Sequence, residues 1–241
     1  MDQANDPRVI RTLGGAFIAF AVAFNVPYAW LASVFNYPAV LRRPPGEILE
    51  AFAAAGTSLI LIWVMFAFAA LLLAPIAVGV AIVTQRSGRA SFAIAELGVA
   101  AALAQAIGLS RWVYAVPGLA ARWTASPAGS ETRAMIEAMF ATLHQFAGVG
   151  IGEAIGQTLT ALWLIAVAIG QLRHPRFGRA IGTVGLIGGI VLLLGLVEGL
   201  ATVIRFDPGI FSFAALVGFL VLTLWLIWTG VLCIARPAAV G

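Results

Sequence analysis

Residues 54–84 read AAGTSLILIWVMFAFAALLLAPIAVGVAIVT, an almost wholly apolar run without one charged side chain. A helix needs roughly 20 such residues to cross a hydrocarbon layer about 30 Å thick. Five further runs of this kind flank it, at 12–35, 91–115, 147–171, 179–204 and 209–235. The third is the least apolar, since it carries Glu96 and Gln105. The composition agrees with this reading. Of 241 residues, 62% are hydrophobic and only 10% charged, and mean hydropathy is +1.02. That leaves too little polar surface to cover a water-soluble globule, and it excludes disorder and collagen. The expected architecture is all-α: one integral membrane domain over 1–241, a bundle of six spans.

Missing residue types narrow the chemistry. All 14 basic residues are arginine, so a lysine Schiff base and a P-loop lysine are excluded. Cys233 stands alone and allows neither an internal disulfide nor a Cys-x-x-Cys pair. His144 and His174 are the only histidines, too few for a three-histidine zinc site, and the spans place them at opposite faces. No catalytic residue, metal or cofactor is therefore expected. The net charge of +4 is spread as single and paired arginines beside apolar runs, which points to lipid headgroups and topology rather than nucleic acid.

Arg8 and Arg11 precede an apolar stretch with Ala21-Val22-Ala23, which imitates a signal peptide and its cleavage site. The apolar run continues to Phe35, so it reads as the first span. The connection at 85–90 holds Arg86 and Arg89, and the one after the fourth span holds Arg173, His174, Arg176 and Arg179. Neither contains an acid. The positive-inside rule puts both, and with them both termini, in the cytoplasm. Eight arginines then fall inside and six outside. The outer six share their loops with Glu47, Glu50, Glu131, Glu137 and Asp207. Tyr28, Trp30, Tyr37, Trp112, Tyr114 and Trp123 fall near outer ends, and Trp225 and Trp228 near an inner end, as aromatic belts do.

The longer connections lie outside. Pro44-Pro45 is expected to stop any helix in 36–50, and Pro117, Gly118, Pro127 and Gly129 make 117–130 read as turns. Ser130 then caps an amphipathic helix over 131–146, whose apolar stripe Met135, Met139, Leu143 and Phe146 lies opposite Arg133 and Glu137. This helix should lie on the outer surface and bend into the fourth span near the glycines at 148–152. Pro27 and Pro75 should kink spans one and two.

Gly148, Gly152 and Gly156 recur at spacing four on span four, and Gly185 and Gly189 do so on span five. Small residues at this spacing let helix backbones approach closely. The reading preferred is packing of span four on span five; the alternative is a dimer face. Three glutamates within spans need explanation, since a charge there costs at least about 2.5–3.5 kcal/mol. Glu96 lies on the cytoplasmic side within reach of Arg86 or Arg89; Glu153 and Glu198 lie in the outer half. Asn25, Gln105, Gln157, Arg111, His144 and Gln145 join the last two in one candidate polar cluster. The competing reading is interhelical hydrogen bonding that merely holds the spans together. His144 stands nine residues before Glu153, half a turn out of phase on a straight α-helix, so only a bend would unite them.

Several of these residues fall in runs with a family likeness: Tyr37-Pro38-Ala39-Val40-Leu41-Arg42, Arg111-Trp112-Val113 followed by Pro117, and His144-Gln145-Phe146-Ala147-Gly148-Val149 with Gly152-Glu153. The chain resembles a domain-of-unknown-function family of six-span bacterial membrane proteins. Where relatives often carry histidine after the glutamate, Ala154 stands here. The resemblance implies six spans and a bacterial inner membrane, and groups Arg111, Trp112, His144, Gln145 and Glu153 at the outer face. It implies no activity. The expected function is non-catalytic binding of a small ligand, lipid or membrane protein partner at that cluster. The alternatives are a proton-linked or facilitative transporter and, third, an intramembrane enzyme acting on a lipid.

Overall fold

In the computed structural model, which describes residues 6–84 and 88–237, the chain is helical throughout, with no strand among the described residues. Six helical stretches are long and apolar enough to cross a membrane: Pro7–Phe35, Pro45–Thr84, Arg89–Ala125, Glu131–Leu172, Gly178–Ile204 and Gly209–Ala235. Within them the helices are α1 (Pro7–Phe35), α2 (Pro45–Thr84), α3 (Arg89–Tyr114), α4 (Val116–Ala125), α5 (Glu131–Leu143), α6 (Gly156–Leu172), α7 (Gly178–Ile204) and α8 (Ala214–Ala235). A π-helix, His144–Ile155, joins α5 to α6 without a break in helical geometry. The spans run alternately up and down. Each packs on the next in sequence, and α8 packs on α1, so they form a closed ring. One end of the ring, here the crown, carries 36–44, α4, α5 and 205–213. The other, the base, carries 88, 173–177 and both ends of the described chain.

Two buried clusters follow this division. Ile10, Phe17, Val80, Phe177, Trp225 and Cys233 belong to the base cluster. Phe35, Phe52, Trp63, Trp112, Trp123 and Phe140 belong to the crown cluster, where Trp63 and Trp112 stack with centroids 4.8 Å apart. In lipid such packing, rather than expulsion of water, supplies the cohesion. The base is closed by Arg176. It donates from Nε to Arg236 O at 2.9 Å, from Nη1 to Val83 O at 3.1 Å and from Nη2 to Pro237 O at 3.3 Å. These carbonyls stand at or just beyond the C-terminal ends of α2 and α8, where a cation is favoured.

Several expectations change. Pro44-Pro45 does not stop a helix; Pro45 opens α2, because a missing N–H costs nothing in the first turn. The break comes at Gly56, with φ 65° and ψ −153°, a conformation only glycine adopts readily. Pro117 likewise sits in the first turn of α4, so the turn shrinks to 126–130. Ser130 does cap α5, its hydroxyl accepting from Arg133 N at 3.3 Å. Most of its apolar stripe faces away from the bundle. Met135, Met139 and Phe146 are exposed at 64%, 51% and 70%. The charged side turns inward: Trp123 Nε1 donates to Glu137 Oε1 at 2.9 Å, and Arg133 lies over the Trp123 ring at 4.1 Å while bonding Trp123 O and Ser126 O. Where the surroundings are apolar, charged groups find partners inside and methionines face out. For the same reason Trp112, Trp123 and Trp225 are core residues and not belt residues, whereas Tyr114, Trp30 and Trp228 are exposed.

The glycine pairing is also corrected. Gly148, Gly152 and Gly156 face α3, not α7. A Cβ on Gly108 of α3 would lie 2.6 Å from Gly152 Cα, and one on Gly156 would lie 2.9 Å from Gln105 Cγ. Gly189 does meet α6, and Gly185 meets Ala168 of α6 and Trp225 of α8. Sequence adjacency favoured spans four and five, but span four sits between two neighbours and spends its glycines on the other one.

Candidate binding site at the crown

The site is built from five elements. Asn36 ends α1 in a left-handed conformation, and a short 3-10 turn, Ala39–Arg42, anchors on buried Val40 and Leu41. This connection turns Tyr37 into the ring, against Tyr28 at 5.5 Å, Trp63 at 5.4 Å and Phe66 at 6.2 Å. It also sends Arg42 to Glu198 of α7. Both contacts, from Nε at 3.1 Å and Nη2 at 2.5 Å, land on Glu198 Oε1, and this is the ion pair among the described residues.

Arg111, near the crown end of α3, is buried. Its Nη1 donates to Gly108 O, its Nη2 lies 3.4 Å from His144 Nδ1, and its Nε has no hydrogen-bond partner. Its guanidinium fits against Gly148, where a Cβ would lie 2.5 Å from Nη2. His144 stacks on Phe140 at 5.7 Å and meets the Trp112 edge at 6.3 Å.

Glu153 projects from the π-helix into electrostatic reach of Arg42, Arg111, Glu198 and Tyr37. Among the described residues its carboxylate makes no hydrogen bond and no ion pair. The Tyr37 hydroxyl is held well above its ordinary pKa, by burial first and by Glu153 next, and so stays a neutral O–H. The phase problem between His144 and Glu153 is solved by the π-helix. It winds at roughly 4.4 residues per turn instead of 3.6, so nine residues make about two whole turns. Both side chains consequently share Arg111 and Arg42 as charged neighbours.

The remaining candidates separate from this group. Gln157 donates to Leu192 O at 2.7 Å and Gln105 to Thr160 Oγ1 at 2.6 Å, both buried. Asn25 donates to Ala21 O at 2.7 Å and Thr223 Oγ1 at 3.0 Å. These amides tie spans together; Asn25, Gln105 and Thr223 also line a narrow cleft with Phe24 and Phe219. Gln145 bonds Thr202 at 3.3 Å on the exposed surface. Glu96 is exposed near the base and makes no ion pair with Arg89, while Arg86 lies outside the described residues. Sequence reasoning placed Arg42 and Tyr37 in the loop and belt inventories and missed them at the site. The available signal was that both belong to the Tyr37–Arg42 run that carried the family likeness.

Among the described residues, no group of three or more His, Cys, Asp or Glu side chains is placed to hold a metal ion. No curated protein and no solved structure matches the chain. The family model of DUF4386, a domain of unknown function, matches residues 12–230, and the chain belongs to that family.

Proposed function

We propose that this multi-pass protein resides in a bacterial inner membrane with both termini in the cytoplasm. It acts without catalysis, holding a small polar ligand or headgroup at the crown through Arg111, Glu153, Arg42 and Glu198. One observation carries the reading. A buried arginine and a half-buried glutamate lie within electrostatic reach of each other, opposite in charge, and form no ion pair. Structural ion pairs in a membrane normally close, since an unpaired charge there is expensive. The closed base supports binding over transport: Trp225 Nε1 donates to buried Gln171, whose amide reaches Thr229, and Arg176 seals the helix ends.

The test is a thermal-shift screen of the detergent-purified protein against small organic ions, repeated on Glu153→Gln. At least one ion should raise the melting temperature of the wild type and lose that effect in the variant. Proton-coupled solute flux in proteoliposomes that disappears in Glu153→Gln would replace this reading by transport. The amides Gln157 and Gln105, which descend from Glu153 toward mid-depth, are the observation favouring that second reading.

A further inference from the structure

The charges at the crown specify a ligand class, an inference that rests on the crown being a binding site. Four charged groups lie within electrostatic reach there, Arg42, Arg111, Glu153 and Glu198, and their formal sum is zero. Arg42 and Glu198 neutralise each other directly. Arg111 and Glu153 do not, because each is fixed by its own element. Arg111 is held by Gly108 O, by the flat contact with Gly148 and by the Trp112 ring at 5.2 Å. Glu153 is held by the phase of the π-helix. A lone anion would compensate Arg111 and leave Glu153 stranded; a lone cation would do the reverse. Only a ligand with both charges satisfies both groups. The existing pair has capacity for it: Arg42 Nη1 and the second oxygen of Glu198 take no described partner. The Tyr37 hydroxyl, likewise without a described hydrogen bond, adds a neutral donor and acceptor beside Glu153.

We propose that the crown binds a small zwitterion, its anionic group on Arg111 and Arg42 and its ammonium on Glu153 beside Tyr37. Phosphoethanolamine has this chemistry, both as a free solute and as a lipid headgroup. The experiment is calorimetric titration of the full chain in detergent with phosphoethanolamine, ethanolamine and inorganic phosphate. Native mass spectrometry then compares retention of phosphatidylethanolamine with that of phosphatidylglycerol. Phosphoethanolamine should bind at least about tenfold more tightly than either half, each half forgoing one charge-assisted contact. Glu153→Gln should remove that advantage while leaving phosphate binding unchanged. Arg42→Gln, on the exposed connection, should weaken the zwitterion and phosphate alike. Binding of the free solute assigns a soluble source; retention of phosphatidylethanolamine without it assigns the headgroup. If ethanolamine or phosphate alone binds as tightly as the zwitterion in a Glu153-dependent way, the site stands and the zwitterion assignment falls. If no probe binds and neither variant changes lipid retention, both readings fall.

Discussion

Arg176 at the base and Arg111 at the crown are both buried arginines in an apolar bundle, and they are treated in opposite ways. Every nitrogen of the Arg176 guanidinium points at a carbonyl oxygen, drawn from residues at or beyond the ends of two helices. Arg111 has one carbonyl, one long contact to His144, an unpartnered Nε, and a glutamate it does not reach. The first arrangement holds the ends of three chain segments in register. On the binding role proposed above, the second gives up stability to keep a charge available, as functional sites often do.

The sharpest way to break this contrast is to neutralise both arginines. Arg176→Gln leaves buried carbonyls without their cation and should cost about 3 kcal/mol, read as loss of melting temperature in detergent. Arg111→Gln should cost less than about 1 kcal/mol, because little pairing is lost. Equal losses would erase the distinction. Next comes the close approach that positions Arg111. Gly108→Ala drives a Cβ into the Gly152 backbone and should cost about 1–3 kcal/mol. Gly199→Ala meets nothing nearer than Val149 Cγ1 at 3.5 Å and serves as its control. Glu153→Gln removes a half-buried carboxylate that has no hydrogen-bond or ion-pair partner among the described residues, so the melting temperature should stay level or rise; a fall would mean Glu153 is a structural group after all. Glu198→Gln breaks a partly exposed pair and should shift stability by no more than about 1 kcal/mol. The assignment of crown and base to the two sides is tested separately with Ala128→Cys, exposed between α4 and α5. A membrane-impermeant maleimide should label it in intact cells, with buried Cys233 giving little background.

The six spans were legible because each is an apolar run longer than the bilayer requires, a signal that survives any detail of packing. Glu153 and Arg111 were legible because a charge inside such a run stands out. What the sequence concealed was phase and direction. The nine-residue spacing of His144 and Glu153 reads as opposition under α-helical winding and as alignment under π winding, and periodicity alone does not say which applies. The stripe on α5 is legible as a stripe opposite Arg133 and Glu137, but its spacing does not say which side packs on the bundle; Met135 and Met139 face out. Pro45 and Pro117 look like stops, but a proline begins a helix as easily as it ends one. Arg42 was invisible as a site residue because its partner, Glu198, lies 156 positions away, on a span that only ring closure brings near.

That ring has a consequence for how the protein is made. The main contacts between spans join segments adjacent in sequence, except the one between α1 and α8; α2 also makes smaller contacts with α5 and α6. As spans leave the ribosome in order, each finds its partner already in the membrane, and no helix has to wait for one not yet synthesised. The α1/α8 seam is the exception. It forms last, and with it Asn25 gains Thr223 and Arg176 gains the carbonyls of Arg236 and Pro237. Translation of the final span is thus the moment at which an open arc of helices becomes a closed ring.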